Sequence, residues 1–200
     1  MSISYITRDT FNQNVNEIHL KSKLIGDSWN LVTIPSTLPN QKEILVYLEK
    51  IEQKLVEQDI YTFTFHVVYS ESYSVPVLYL NVSKSNGSLL THDELYSYFN
   101  LSKLLKGQDS VYDLVMTQQE HPLLFKPFYF VHPCRSADWM KIIATNKSIE
   151  GEREKEKSGD YSHHNLENYT LTWLSFVFSS FNINLDTKYG LKLNALKDFF

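Results

Sequence analysis

The chain has 200 residues, 42% hydrophobic and 14% aromatic, which is enough apolar material for the core of one domain. A formal net charge of -4 provides no dense basic stripe for phosphates, which argues against a nucleic-acid-binding protein. The 6 glycines do not cluster into a phosphate-cradling loop, and no Gly-x-Ser-x-Gly elbow occurs, which argues against nucleotide binding and serine hydrolysis.

The expected compartment is the cytosol. The N-terminal residues lack the basic region and apolar segment of a secretory signal. The longest apolar stretch, around 171–178, contains Thr172 and Ser175 and is too short to cross a bilayer. A single cysteine cannot form an internal disulfide, and a reducing compartment keeps its thiol free.

The first part of the chain predicts a helix, a strand and a second helix. Residues 11–24 allow an amphipathic helix, and residues 29–34 read as a strand that stops at Pro35. Asn40 and Glu43 resemble a capping box. Apolar residues then follow at helical spacing, namely Ile44, Leu45, Leu48, Ile51 and Leu55. We therefore expect the second helix over this stretch.

The middle of the chain predicts two paired strands and a short helix. Residues 60–69 alternate with period two, which indicates a strand with one aromatic face and His66 on the other. Residues 75–82 form the second strand, which ends at the turn signal in 85–88. Thr91 and Glu94 form a capping box for a helix through about residue 99.

The last part predicts a short strand over 127–131 and a broadly apolar helix over 166–181. Between them, residues 146–165 are charged and almost free of apolar side chains, which is typical of a mobile surface insertion. This order of elements indicates an α+β domain with a mainly antiparallel sheet. We assign residues 1–186 to one domain and 187–200 to a C-terminal tail.

The only cysteine, Cys134, closes the tripeptide His132-Pro133-Cys134. A lone cysteine is more often a small buried hydrophobe than a reactive group. Here the predicted strand precedes it and the polar, turn-like residues 135–138 follow, so the thiol lies where a buried strand opens into a loop. Because cysteine is the strongest neutral-pH nucleophile among side chains, Cys134 is the first candidate for a catalytic group.

Two other chemistries are less favoured. The 7 histidines are scattered, and the one local pair, His163-His164, lies in the charged insertion with no cysteine nearby, so a zinc site is poorly supported. A cysteine protease would need a histidine base beside the thiol. His132 is only two residues away, across a rigid proline, and hydrolysis therefore stays an outside interpretation.

The tripeptide, together with residues 117–122 ahead of it and Leu171-Thr172-Trp173-Leu174-Ser175 behind it, resembles the E2-like conjugating enzymes of autophagy. The most similar group is the autophagy-related protein ten family, and the resemblance covers roughly residues 60–181. It implies an E2-like fold, in which an antiparallel sheet is flanked by helices.

What the resemblance implies about activity is thioester transfer. Proteins of that family accept the ubiquitin-like autophagy-related protein twelve from the E1-like protein seven and conjugate it to a lysine of protein five. Cys134 would be the acyl carrier, since a thioester stays reactive toward amines. No cofactor is implied, because the activating enzyme consumes the ATP. The implied location is cytoplasmic, with recruitment to the preautophagosomal structure and without stable membrane insertion.

The resemblance also implies two further site residues. Conventional conjugating enzymes carry His-Pro-Asn before the cysteine, and the asparagine supports the oxyanion formed by lysine attack. Here the cysteine takes the third place of the motif. The family's substitutes match Tyr73, in a Tyr-x-x-Pro-apolar stretch, and His132. Structural roles are open alternatives: Tyr73 could cap a strand end, and His132 could fix the loop by a hydrogen bond.

Two alternative functions remain open from the sequence. The sister family shares His-Pro-Cys and transfers a ubiquitin-like modifier to phosphatidylethanolamine, although its members are typically longer and have extended acidic insertions. A non-catalytic adaptor could use an E2-like surface for binding alone. The presence of Tyr73, His132 and Cys134 together weighs against a decayed site.

Overall fold

The computed structural model describes residues 5–35, 44–99, 115–136, 138–140 and 168–197. The helices are α1 (Arg8–Ile25), α2 (His92–Tyr98), α3 (Tyr169–Ser180) and α4 (Leu193–Lys197), with 3-10 turns at Pro133–Arg135 and Thr187–Gly190. The strands are β1 (Asn30–Pro35), β2 (Ile44–Val56), β3 (Asp59–Ser70), β4 (Val75–Ser83), β5 (Met116–Glu120) and β6 (Pro127–Val131).

The strands form one six-stranded sheet in the order β1-β2-β3-β4-β6-β5, and every pairing is antiparallel. Together with the flanking helices, this arrangement confirms the predicted α+β class and mainly antiparallel sheet. Within the described ranges, no helix combines the length and apolar character that a membrane crossing requires.

Helix α1 confirms the first predicted helix. The Thr7 side chain accepts a hydrogen bond from the Thr10 backbone N–H, and Gly26 ends the helix at φ 74°, a left-handed conformation that glycine adopts at little cost. Phe11, Val15 and Ile18 are fully buried in the main core. The apolar spacing in the sequence therefore identified the buried face correctly.

The second predicted helix is wrong, because residues 44–56 form strand β2. Leu48 lies opposite Val67 of β3, and the two strands are joined by a two-residue turn in which Glu57 has φ 57°. The proposed cap, Asn40 and Glu43, lies outside the described residues.

The misleading helical pattern has a physical origin on both faces of β2. On the core side, Lys50 pairs with Asp27 at 2.6 Å and Lys54 pairs with Glu52 at 2.6 Å, so charged residues replace the apolar ones that would mark a strand. On the other side, Ile51 and Leu55 are 52% and 74% exposed. The alternation expected of a half-buried strand is therefore hidden.

Strands β3 and β4 pair as predicted, from Thr62 opposite Ser83 to Ser70 opposite Val75. The aromatic face of β3 packs into the core shared with α1 and α3, where Phe63 and Phe65 are each 1% exposed. His66 lies on the opposite face, as predicted. That face carries a second, smaller apolar cluster that includes Tyr47, Val77, Tyr79, Phe128 and Phe130.

The remaining predictions differ in outcome. The capping box of α2 is present, since the Glu94 carboxylate accepts from the Thr91 backbone N–H at 2.8 Å. The strand at 127–131 is confirmed as β6, whereas its partner β5 was not predicted. The last long helix begins later than expected, because the Asn168 side chain caps α3 at the Leu171 N–H. The predicted insertion at 146–165 lies outside the described residues.

The residues assigned to a C-terminal tail pack against α1. Tyr189 is 3% exposed and Leu196 is 1% exposed. The Tyr189 hydroxyl donates to Asp27 Oδ2 at 2.8 Å, and Lys21 Nζ donates to the Tyr189 carbonyl at 2.9 Å. Residues 187–197 therefore share the packed body of the preceding elements.

Candidate active site

Cys134 lies in the 3-10 turn that directly follows β6. Phe128, Phe130 and Val131 of that strand are buried, whereas the Cys134 thiol is exposed. Pro133 starts the turn, where its fixed φ suits the conformation and its missing N–H leaves no donor unpaired. The sheet thus holds the backbone on one side of the cysteine while the thiol stays accessible to other proteins.

His132 connects the backbone of this turn to a second loop. The Cys134 backbone N–H donates to His132 Nδ1 at 3.1 Å, and His132 Nε2 lies 3.2 Å from the Tyr73 hydroxyl oxygen. Because Nδ1 accepts a hydrogen bond, the neutral ring carries its proton on Nε2. Nε2–H then donates to Tyr73, and the hydroxyl hydrogen of Tyr73 is available for another acceptor.

Tyr73 lies in the four-residue loop 71–74 between β3 and β4. The loop closes with a hydrogen bond from the Ser74 N–H to the Ser70 carbonyl at 2.8 Å, and Ser74 adopts φ 53°. The Tyr73 ring meets the His132 ring edge-on, with centroids 5.5 Å apart, and the tyrosine is 43% exposed. The structure therefore brings together Tyr73, His132 and the turn of Cys134.

Ser136 and Trp173 form a buried contact behind the cysteine that the sequence did not reveal. The Trp173 Nε1–H donates to Ser136 Oγ at 3.1 Å, and both residues are 1% exposed. Helical spacing had marked Trp173 as a core residue of α3, which is correct. The hydrogen bond also ties α3 to the end of the Cys134 turn, and no local sequence pattern signals a contact across 37 positions.

Two histidines, His66 and His121, form a pair away from the thiol, on the face of the sheet opposite α1. His66 Nδ1 and His121 Nε2 are 3.2 Å apart, and His66 Nε2 lies 3.1 Å from a Glu49 oxygen. His121 Nδ1 accepts from the N–H groups of Leu123 and Leu124. This acceptor role places the His121 proton on Nε2. His121 Nε2–H therefore donates to His66 Nδ1, and His66 Nε2–H donates to Glu49.

Burial sets the charge of this pair. The exposed fractions of His66 and His121 are 2% and 0%. Burial lowers the pKa of His66 to about 4, and burial together with the nearby His66 lowers the pKa of His121 to about 3. Both rings are therefore neutral at pH 7. Nowhere in the described part of the chain do three or more His, Cys, Asp or Glu side chains cluster so as to hold a metal ion.

The geometry around His132 argues against this ring as the base of the cysteine protease considered from the sequence. A protease needs a histidine nitrogen that can accept the thiol proton. In His132, Nδ1 is occupied by the Cys134 N–H and Nε2 by Tyr73, so this ring has no nitrogen left for that role. His132 thus contacts both the backbone of the exposed Cys134 and the hydroxyl of Tyr73.

Comparison with known proteins places this chain in a family. Residues 10–187 match the family described as the autophagocytosis associated protein, active-site domain. The chain is 37% identical over 127 residues to the ubiquitin-like-conjugating enzyme ATG10 of Dictyostelium discoideum, covering 63% of this chain and 53% of that protein.

Two further relatives carry the same name. The Homo sapiens protein is 29% identical over 155 residues, covering 76% of this chain and 64% of the relative. The Arabidopsis thaliana protein is 35% identical over 99 residues, covering 48% and 42%. The chain thus spans about half the length of the curated relatives it matches.

Proposed function

The chain belongs to the family of the autophagocytosis associated protein active-site domain, and from this membership we propose that it is an E2-like conjugating enzyme that carries a ubiquitin-like modifier as a thioester on Cys134. The observation that carries the proposal is an exposed cysteine whose backbone N–H is bonded to His132, the same ring that meets the Tyr73 hydroxyl. The three relatives named as ubiquitin-like-conjugating enzymes support the same activity.

The proposal extends to the partners implied by the sequence resemblance. The modifier is the ubiquitin-like autophagy-related protein twelve, the donor is the E1-like protein seven, and the acceptor is a lysine of protein five. The reaction takes place in the cytoplasm, with recruitment to the preautophagosomal structure. An exposed cysteine suits this role, because both the incoming thioester and the acceptor lysine belong to other proteins.

The reaction proceeds in two acyl transfers. The Cys134 thiolate attacks the thioester carbonyl on the activating enzyme, a new C–S bond forms, and the activating enzyme's thiolate leaves. A neutral lysine amine then attacks the new thioester, the Cys134 thiolate leaves, and the nitrogen loses its extra proton as the isopeptide forms. The attack by lysine passes through a tetrahedral oxyanion that needs a hydrogen-bond donor from this chain.

Tyr73 supplies that donor in our proposal. Its oxygen accepts from His132 Nε2–H, which leaves the hydroxyl hydrogen to donate to the oxyanion. His132 is held by the Cys134 N–H at Nδ1 and by its own backbone N–H, which donates to the Val115 carbonyl at 2.8 Å. The imidazole therefore orients the tyrosine.

The experiment for the carrier role combines the chain with activating enzyme, modifier and ATP and follows the adduct on non-reducing gels. We expect a band that a thiol reductant removes and that Cys134→Ala abolishes. Cys134→Ser gives a more reductant-resistant ester if loading tolerates the weaker nucleophile. A reductant-sensitive adduct that persists in Cys134→Ala would overturn the proposal.

Tyr73→Phe tests the oxyanion donor separately from loading. We expect the discharge of modifier to lysine to fall about 100-fold, because removal of one oxyanion donor costs on the order of 10² to 10³ in rate. Single-turnover discharge from preloaded protein measures this step. Tyr96→Phe, in helix α2, serves as the matched control. An unchanged discharge rate in Tyr73→Phe would assign the tyrosine a structural role.

Acceptor assays separate the alternatives. Transfer of the loaded modifier to phosphatidylethanolamine vesicles, with none to protein five, would identify the lipid-conjugating activity of the sister family. An adaptor would bind the modifier without forming any thioester. Mild alkylation of Cys134 distinguishes an enzyme from an adaptor. The exposed thiol of an enzyme should react readily, whereas a fully protected thiol would favour the adaptor.

A further inference from the structure

The loop that carries Tyr73 lies beyond the last paired residues of its hairpin. The β3–β4 ladder ends at Ser70 opposite Val75, so the ladder's hydrogen bonds do not hold residues 71–74. A hydroxyl that must meet a transient oxyanion needs a defined position, since a displacement of about 1 Å can cost on the order of 100-fold in rate. Contacts from outside the hairpin must therefore contribute to the position of Tyr73.

The segment just ahead of α1 provides such contacts through the backbone of Ile6. The Ile6 N–H donates to the Ser74 carbonyl at 2.9 Å. The Ile6 carbonyl accepts from the Tyr69 hydroxyl, also at 2.9 Å. The backbone of Ile6 is thus bonded to Ser74, the residue after Tyr73, and to Tyr69, in the strand that leads into the loop.

Arg8, in the first turn of α1, adds a second attachment. Its guanidinium forms an ion pair with Glu71, the first residue of the loop, and lies 5.4 Å from the centroid of the Tyr69 ring. Tyr69 also packs against Phe11, with ring centroids 5.6 Å apart. The loop is therefore anchored to a helix whose own start is fixed by the Thr7 cap.

We propose that Ile6 and Arg8, acting through Tyr69 and Glu71, are positioning residues that hold the Tyr73 loop in place for amide-bond formation. This inference rests on the proposed function, which it deepens by assigning a role to residues that contact Tyr69 and Glu71 across more than 60 positions of sequence. The ion pair is exposed enough to add little to global stability. Its loss should therefore loosen the loop without unfolding the protein.

The test uses the double variant Tyr69→Phe/Glu71→Gln in the full chain. It removes the hydroxyl bonded to Ile6 and the charge paired with Arg8, while the ring packing on Phe11 is kept. We expect thioester loading within about twofold of wild type and discharge to lysine slowed about tenfold. Discharge at the wild-type rate in this variant would overturn the inference.

Lys54→Gln is the matched control. Lys54 forms a comparable ion pair, with Glu52, and likewise lies over an aromatic ring, that of Phe63 at 5.2 Å, but it belongs to the far end of β2. We expect wild-type loading and discharge in this variant. Slower discharge of the same size would mean that the effect reflects general weakening and not the Tyr73 loop, which would overturn the inference.

Two further measurements show whether the effect passes through Tyr73. In a Tyr73→Phe background, Tyr69→Phe/Glu71→Gln should slow discharge no further, since the hydroxyl to be positioned is already absent. Additive losses would contradict the inference.

The charge swap Arg8→Glu/Glu71→Arg should recover most of the discharge rate lost in Glu71→Gln. Failure to recover it would show that the ion pair does not position the Tyr73 loop.

Amide hydrogen exchange over residues 71–75 separates this inference from the proposed function. We expect faster exchange in Tyr69→Phe/Glu71→Gln than in wild type. Unchanged exchange would overturn the anchoring whatever the activity of the protein. Absence of a Cys134 adduct in the wild-type chain would instead overturn the proposed function, a result that exchange does not affect.

Discussion

The Tyr73–His132 contact and the His66–His121 pair differ in their surroundings. His132 meets an exposed tyrosine at the surface, whereas His66 and His121 are buried against each other among Tyr47, Tyr79 and Phe128. The buried pair has one charged neighbour among its direct hydrogen-bond partners, Glu49. Its neutral rings complete a chain of hydrogen bonds that would break if either ring took up a proton, because a protonated ring has no acceptor nitrogen.

Acid should therefore destabilise the fold through this pair. The folded-state pKa values are about 4 for His66 and about 3 for His121, against an ordinary 6.5. Between each of these values and 6.5, the unfolded chain therefore binds more protons than the folded protein. Their contribution to stability is complete above pH 6.5 and declines as the pH falls toward 4. We expect a loss on the order of 2 kcal/mol from each ring, about 4 kcal/mol for the pair, by pH 5, measured by urea denaturation.

His121→Asn isolates this effect. The asparagine Oδ1 can replace Nδ1 as the acceptor for the Leu123 and Leu124 N–H groups, but it does not titrate. The unfolding free energy of this variant should depend less on pH between 7 and 5 than that of wild type. His92→Asn, at a half-exposed position, should leave the slope unchanged. Equal slopes in His121→Asn and wild type would assign the acid sensitivity to other groups.

At the scale of elements, β2 shows how a helical spacing of apolar residues can belong to a strand. Its apolar residues do not share one buried side. Leu48 points into the main core at 0% exposure, and Leu55, on the other face, is 74% exposed. In a helix these two residues, seven positions apart, would have lain on one face.

The same substitution at these two positions tests the assignment. Leu48→Thr should lower the free energy of unfolding by about 3 kcal/mol, because it removes buried methyl groups and buries a hydroxyl. Leu55→Thr should change it by less than about 0.5 kcal/mol, since exposed positions contribute little and threonine suits a strand. Urea denaturation of both variants measures the difference. Similar losses at the two positions would favour a shared buried face.

At the scale of the whole molecule, one face of the sheet is covered by segments from both ends of the described chain. Helix α1 packs against α3 and also against the 3-10 turn at 187–190 and helix α4, and Tyr189 of that turn belongs to the main core. Asp27 joins these segments, because its carboxylate contacts Lys50 of β2 and the Tyr189 hydroxyl. Burial alone would raise its pKa, yet hydrogen bonds from Lys50, the Ser28 N–H and Tyr189 lower it overall. The C-terminal residues therefore contribute to the stability of the domain.

A pair of leucines tests this contribution. Leu196→Ala, at 1% exposure, should lower the free energy of unfolding by about 2 to 4 kcal/mol through the cavity it leaves. Leu191→Ala, at 39% exposure, should cost less than about 1 kcal/mol. Thermal or urea denaturation of the purified variants gives both values. A negligible effect of Leu196→Ala would mean that the C-terminal segment is dispensable for the fold.

By itself, the sequence determined the features that depend on local chemistry. The spacing of Phe11, Val15 and Ile18 identified α1, and period-two alternation identified β3, because each pattern reports one element's buried face. The His132-Pro133-Cys134 context also identified the family, which the match over residues 10–187 confirms. The catalytic roles of Cys134, Tyr73 and His132 stay predictions.

Only the tertiary structure decided which distant residues meet. The approach of Tyr73 to His132 spans 59 positions, and the attachment of Ile6 to the Tyr73 loop depends on the docking of α1 against β3. Strand β2 was decided in the same way, by its hydrogen bonds to β1 and β3 and not by its own residue pattern. The physical reason is common to all three: a hydrogen bond between chain-distant groups depends on how the core packs, and local periodicity carries no record of it.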